Sequence, residues 1–119
     1  VPVERYYRVR MTELTPITAA ELDDALAAPG DDLRVLYLWG PDCPNCVIFK
    51  RRLPSILESL AGVAFRLLAL DVYAHPEVAT RFAVYGIPHF LLFKAGKKLG
   101  KMSQFRGDQF WADVIREHA

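Results

Sequence analysis

Leu33-Arg34-Val35-Leu36-Tyr37-Leu38-Trp39-Gly40-Pro41-Asp42-Cys43-Pro44-Asn45-Cys46 is the stretch from which the rest of the chain is understood. Leu33 to Leu38 form a nearly continuous apolar run, bounded by Pro29-Gly30-Asp31-Asp32 before it and Gly40-Pro41-Asp42 after it. Such a run fits a central strand buried on both faces. Trp39 to Pro44 is a loop rich in Gly, Pro and Asp. A helix follows, with Val47, Phe49, Leu53, Ile56, Leu57 and Leu60 as its apolar positions. Pro54 is expected to kink or interrupt that helix, because it has no N–H and clashes with the preceding turn. Cys43 therefore falls at a helix N-terminus, where unpaired N–H groups and the dipole favour a negative charge. That favours the thiolate, the nucleophile of disulfide exchange. Cys46 lies one turn into the helix. It is expected to be less exposed and to resolve a mixed disulfide by attacking Cys43.

Working outward, β-rich and helical segments alternate. Tyr6 to Leu14 holds strand-forming residues, best placed in its last part. Thr18 and Glu21 have capping-box spacing. Leu22 and Leu26 give the next helix a buried stripe, and Pro29-Gly30 ends it. Val63 to Val72 is a second apolar strand. His75-Pro76-Glu77 starts a short helix, with Pro suited to the first turn and an acid near the positive end. Pro88 precedes a strand over His89 to Phe93, Ala95-Gly96 makes a turn, and Leu99 to Phe105 is an edge strand. Asp108 is expected to cap a last helix, with Trp111, Val114 and Ile115 facing inward. Phe90, Phe93, Phe110 and Trp111 are expected in the core. The order β-α-β-α-β-α-β-β-α gives an α/β fold: a central mixed sheet flanked by helices on both faces.

Length and composition agree. The 119 residues fit one domain, and 52% are hydrophobic. Fifteen basic and fourteen acidic residues leave a net charge of +1, with no basic stripe of the kind nucleic acid requires. Lys50-Arg51-Arg52 reads as the solvated face of a helix. No apolar run approaches the roughly 20 residues of a membrane span. Met11 reads as a natural protein start. Residues 1–11, with three arginines and no apolar core, are expected to be an extension, and residues 12–119 a single domain.

The chain has two cysteines, whereas a secreted disulfide scaffold carries more, spread along its length. Other roles for the pair compete less well. A structural disulfide across this four-residue loop contributes only about 2 kcal/mol in chain-entropy terms. A zinc site needs four ligands, and His75, His89 and His118 stand at no zinc spacing, so no metal is expected. Two buried spectator thiols fit the strand-loop-helix setting poorly.

Two segments together resemble the thioredoxin family, over a stretch from about Thr12 to the last helix. Trp39-Gly40-Pro41-Asp42-Cys43-Pro44-Asn45-Cys46 is similar to the family's tryptophan loop and active-site dithiol. Tyr85-Gly86-Ile87-Pro88-His89-Phe90-Leu91-Leu92-Phe93-Lys94-Ala95-Gly96, about 40 residues on, is similar to its second signature. A CxxC alone has little specificity, but the two segments in this order have much. The resemblance implies a thioredoxin fold and a thiol–disulfide oxidoreductase acting on protein disulfides through Cys43 and Cys46. It also implies a redox-active disulfide in place of a cofactor and a thioredoxin-reductase-like electron donor. Trp39, Asp42, Pro44, Asn45, Ile87 and Pro88 would support the site. It further implies that the Ile87–Pro88 bond is cis, keeping the Ile87 backbone available to a substrate strand and blocking metal capture. A cytoplasmic monomer with a part in cellular redox balance, touching neither membrane nor nucleic acid, completes the expectation.

The chain also departs from the family pattern. Asp42 stands where thioredoxins usually have Trp; its carboxylate opposes thiolate formation at Cys43 and reduces the flat apolar docking surface. Pro44-Asn45 replaces the usual Gly-Pro. Tyr37 and Ala69 stand where the family has a buried Asp and a neighbouring Lys, so the usual proton acceptor for Cys46 is missing. Asp71, or a water held by Tyr37, is the expected substitute. His89 is a candidate tuner of the Cys43 thiolate, although a strand histidine with a local partner is the commoner arrangement. Three other functions fit the same features: a non-catalytic peptide-binding module on the same fold, an extracytoplasmic disulfide oxidase or isomerase, and a metal- or cluster-holding dimer sharing dithiols.

Overall fold

The computed structural model describes residues 13–119. The extension read over residues 1–11 lies outside the described residues, as does most of the strand-forming stretch Tyr6 to Leu14. The first strand among the described residues is β1, Leu14–Pro16. A 3₁₀ turn (Ala19–Glu21) leads into α1 (Leu22–Ala27). Then come β2 (Leu33–Trp39), α2 (Pro44–Ser59), β3 (Phe65–Asp71) and α3 (Pro76–Arg81). β4 (His89–Lys94), β5 (Lys97–Ser103) and α4 (Asp108–His118) complete the chain.

The sheet order is β1-β3-β2-β4-β5. β3 runs parallel to β1 and β2, whereas β4 runs antiparallel to β2 and β5. β2 therefore lies at the centre, and its residues Leu33 to Leu38 are all buried. Successive side chains of a strand point to opposite faces, which divides the core in two. Leu33, Val35 and Tyr37 pack with Phe49, Leu53 and Ile56 of α2 and Trp111 and Ile115 of α4. Leu36 and Leu38 pack with Leu22 and Leu26 of α1 and Val78 of α3. Helices thus cover both faces, which is the α/β arrangement expected.

The Thr18–Glu21 capping box is formed, with Glu21 Oε1 reaching back to accept the Thr18 backbone N–H at 2.9 Å and also its hydroxyl at 3.0 Å. Several other local expectations change. α2 runs unbroken through Pro54, its buried stripe of Phe49, Leu53 and Ile56 holding it against the sheet. Val47 is exposed rather than buried, since it lies on the rim beside Cys46. Phe110 is 46% exposed, because the inward face of α4 is already filled by Trp111, Ala112 and Ile115. Gly107, at φ +101°, takes the cap position of α4, while Asp108 turns to an ion pair with Arg52 of α2. β5 begins two residues earlier than expected. The turn residues Ala95 (φ +51°) and Gly96 (φ +77°) close a tight hairpin that brings Lys97 directly opposite Lys94. β5 ends at Ser103, where Gln104 swings to φ +74°.

Candidate active site

The carboxyl end of β2 delivers Trp39 and the loop that follows it to the first turn of α2. Pro44 occupies the first helical position, where a missing N–H costs nothing. Cys43 is the N-cap residue, and its sulfur accepts the Cys46 backbone N–H at 3.2 Å. Cys43 and Cys46 are joined as a disulfide with Cα atoms 5.2 Å apart. Cys43 is 7% exposed and Cys46 4%, so the two sulfurs are almost equally sheltered, with Cys43 covered more closely than its N-cap position implied.

The cover comes from the loop before β4. The Ile87–Pro88 peptide is cis, and Pro88 is buried. The Ile87 carbonyl oxygen lies 3.6 Å from Cys43 Sγ. In the disulfide this sulfur carries no hydrogen, so the approach is a contact; once reduced, the thiol can donate to the same oxygen. Tyr73 packs against the Trp39 loop at Gly40. Its ring lies so close to Gly40 that a Cβ there would come within 2.9 Å of both the ring and Ile87 Cδ1. Gly40 is thus the residue that lets the Trp39 loop pass under Tyr73 and Ile87.

Behind the disulfide is a cavity of about 250 Å³ lined by Tyr37, Trp39, Cys46, Val47, Lys50 and Ala69, among others. Tyr37 is buried, its ring stacked on Phe90 (centroids 5.2 Å apart) and edge-on to Phe49 (4.8 Å). Burial pushes the Tyr37 phenol up to about 12, so it is a neutral hydroxyl at any physiological pH. Asp71 sits opposite Trp39 in the sheet register. Its Oδ1 accepts the Tyr73 N–H at 2.8 Å and the Ala74 N–H at 3.3 Å, closing the turn after β3. The structure therefore brings Tyr37 and Cys46 to one cavity and directs the Asp71 carboxylate into its own turn. His89 is buried at the start of β4. Burial first, and the charges of Lys101 and Lys98 second, push its imidazole down, which holds it neutral. Asp42 is exposed at the loop tip.

Three residues around the site carried no role there in the sequence reading. Lys50, four residues after Cys46 and so on the same helix face, lines the cavity; that spacing was the available signal. Tyr73 had no signal beyond its place just after a strand end. Gln104 bonds to both Asn45 and the Ile87 carbonyl from the far side of the sheet edge, a placement no local pattern announces. Among the described residues, no group of three or more His, Cys, Asp or Glu side chains is arranged to hold a metal ion. No described helix is long and apolar enough to cross a membrane.

The arrangement invites comparison with known proteins. The thioredoxin family model matches residues 13–117. A thioredoxin-like protein, YusE, of Bacillus subtilis is 31% identical over 87 residues, covering 73% of this chain and 80% of the relative. A thioredoxin of Staphylococcus saprophyticus is 28% identical over 108 residues, covering 88% and 97%. Among solved structures, a point mutant of a thioredoxin from Halobacterium salinarum superposes with a TM-score of 0.74 at 20% identity, covering 89% of this chain and 90% of the other. That likeness concerns the fold alone. With a sequence match over nearly all the described residues and the fold in agreement, the chain belongs to the thioredoxin family.

Proposed function

We propose that this protein reduces protein disulfides through Cys43 and Cys46. The observation that carries the reading is the Cys43–Cys46 disulfide at the N-terminus of α2, facing the Ile87–Pro88 peptide. In the reduced protein the Cys43 thiolate attacks one sulfur of a client disulfide. A Cys43–client mixed disulfide forms, and the first client thiolate departs and takes up a proton. The Cys46 thiolate then attacks Cys43 Sγ. The Cys43–Cys46 disulfide closes, the second client thiolate leaves, and two electrons have passed from the dithiol to the client. A thioredoxin-reductase-like dithiol donor returns the pair to the reduced state.

The helix N-terminus and the Cys46 N–H bond stabilise charge on Cys43 in the attacking form. Cys46 loses its proton toward the cavity, through a water held by the neutral Tyr37 hydroxyl; about 250 Å³ leaves room for several waters. Trp39, Pro44 and Asn45 fix the loop, and the Ile87 backbone receives the client strand. Asp42 narrows the set of clients by placing a carboxylate beside the attacking sulfur. The protein works as a cytoplasmic monomer without a cofactor, its residues 12–119 forming one domain.

The test is turnover of insulin with dithiothreitol as electron donor. Insulin is expected to be reduced catalytically, and Cys46→Ser to accumulate a mixed disulfide at Cys43. An absence of turnover, with no trapped species in Cys46→Ser, would refute the assignment.

A further inference from the structure

The side chain of Gln104 is the least expected feature near the disulfide. It stands just past the end of β5 with φ +74°, a left-handed conformation that a non-glycine residue adopts at a cost. Three bonds hold it there. Its backbone N–H donates to the Pro88 carbonyl at 2.9 Å. Its Nε2 donates to the Ile87 carbonyl at 3.0 Å. Its Oε1 accepts from Asn45 Nδ2, within the Cys43–Cys46 loop, at 2.8 Å. The side chain passes over Gly86, where an added Cβ would lie 3.6 Å from Nε2. The strained backbone thus aims an amide at the carbonyl that also touches Cys43 Sγ.

Resting on the function proposed above, we propose that Gln104 is a client-displaced gate that weakens the docking of extended peptide disulfides, which must displace its amide, and leaves small disulfides unaffected. An extended client reaching Cys43 beside a cis-proline segment needs the Ile87 carbonyl for one of its own backbone N–H groups. In the resting protein the Gln104 amide occupies that acceptor, and Asn45 holds the amide in place. Client docking exchanges one neutral N–H···O bond for another of the same kind, so the gate opens only for a partner that brings a backbone donor. The Asn45–Gln104 and Gln104–Ile87 bonds are solvent-exposed, so breaking them has a small net cost and the exchange is reversible. A small disulfide with no amide gains nothing from Ile87 and does not compete for it. Gln104 is accordingly a specificity-determining and positioning residue, acting through Ile87 and not on the sulfurs.

The test compares two disulfides with the same leaving group, with dithiothreitol as donor. One is a short unstructured peptide whose single cysteine is disulfide-bonded to 2-mercaptoethanol; the other is bis(2-hydroxyethyl) disulfide. Gln104→Gly removes the gate and places glycine where φ is positive. Gln104→Glu keeps the reach but loses the donor. In both variants the ratio of peptide to small-disulfide kcat/KM is expected to rise about three- to tenfold, the factor corresponding to the net worth of one neutral hydrogen bond, with the change in the peptide KM. An unchanged or lowered ratio in both variants, with wild type active, overturns the gate alone. A rise in Gln104→Gly without one in Gln104→Glu also overturns it, since the donor would then be irrelevant. Wild type inactive on both disulfides overturns the gate together with the redox function.

Discussion

The two ends of β2 handle buried polar groups in opposite ways. At its beginning Arg34, 2% exposed, lies inside the protein and is nearly saturated with acceptors. Nη1 donates to the carbonyls of Ala25 (2.9 Å) and Leu26 (3.0 Å), and Nη2 to those of Pro29 (3.0 Å) and Gly30 (3.4 Å). Asp32 supplies the countercharge at 3.4 Å and is itself bound by Arg66 at 2.7 Å. These bonds satisfy the carbonyls that the end of α1 leaves unpaired and tie that helix to the central strand. At the other end Tyr37 and Cys46 carry no charge and line a cavity. One end is spent on structure, with Arg34 Nε alone of the guanidinium nitrogens left without a partner among the described residues; the other leaves space where Tyr37 and Cys46 line the same cavity. The use made of the polar groups separates the two ends: tying a helix to a strand at one, lining open space at the other.

Substitutions at the two ends should give mirror-image results. Cys43→Ser is expected to abolish disulfide reduction while costing the oxidised protein no more than about 2 kcal/mol of stability, the chain-entropy worth of so short a loop. Insulin turnover and urea denaturation measure the two quantities. Arg34→Ala is expected to do the reverse. Unfolding free energy should fall by roughly 3–5 kcal/mol, as when one partner of a buried ionic network is removed, while activity per folded molecule is retained. Loss of activity ahead of stability in Arg34→Ala would erase the distinction between the ends.

The Tyr37 end has its own pH signature. A phenol raised to about 12 from an ordinary value near 10 binds its proton more tightly in the folded state. Its contribution to stability is complete below pH 10 and is lost as pH rises toward 12, by roughly 2–3 kcal/mol in all. Tyr37→Phe should remove this alkaline decline, measured by urea titration between pH 9 and 12 on a scale set by those two values. The same variant should slow the Cys46 resolving step by roughly tenfold, less than the hundredfold expected if Tyr37 were itself the base. The smallest effect is expected at the exposed loop tip. Asp42→Asn should speed Cys43 attack about two- to fivefold at low salt, with the gain shrinking as salt screens the carboxylate. Stopped-flow kinetics at two ionic strengths would measure it.

The element order was legible because periodicity and punctuation are local: Leu33–Leu38 has no polar face except Arg34, and Pro76 and Pro29-Gly30 mark boundaries by backbone preference alone. The disulfide pair and its place on α2 were legible for the same reason. What escaped depends on partners distant in sequence. Arg34 reads as an interruption of an apolar strand until the end of α1 is placed over it. Asp108 has the sequence of a cap, yet Arg52, on another helix, claims its carboxylate and holds it below the usual range. Phe110 looks like a core residue until Trp111 and Ile115 have filled that face of α4. Gln104 lies 59 residues from Asn45 and in a conformation its residue type disfavours, so neither propensity nor spacing could reveal the bond between them.

The most direct test of the reducing role is the equilibrium reduction potential of the Cys43–Cys46 pair, followed by thiol alkylation in graded dithiol buffers. One reversible two-electron transition is expected, a tenfold change in ratio for every ~30 mV, with a midpoint at or below about −250 mV. A midpoint at about −200 mV or higher would contradict the reducing role, and the absence of a reversible transition would contradict redox chemistry at this site.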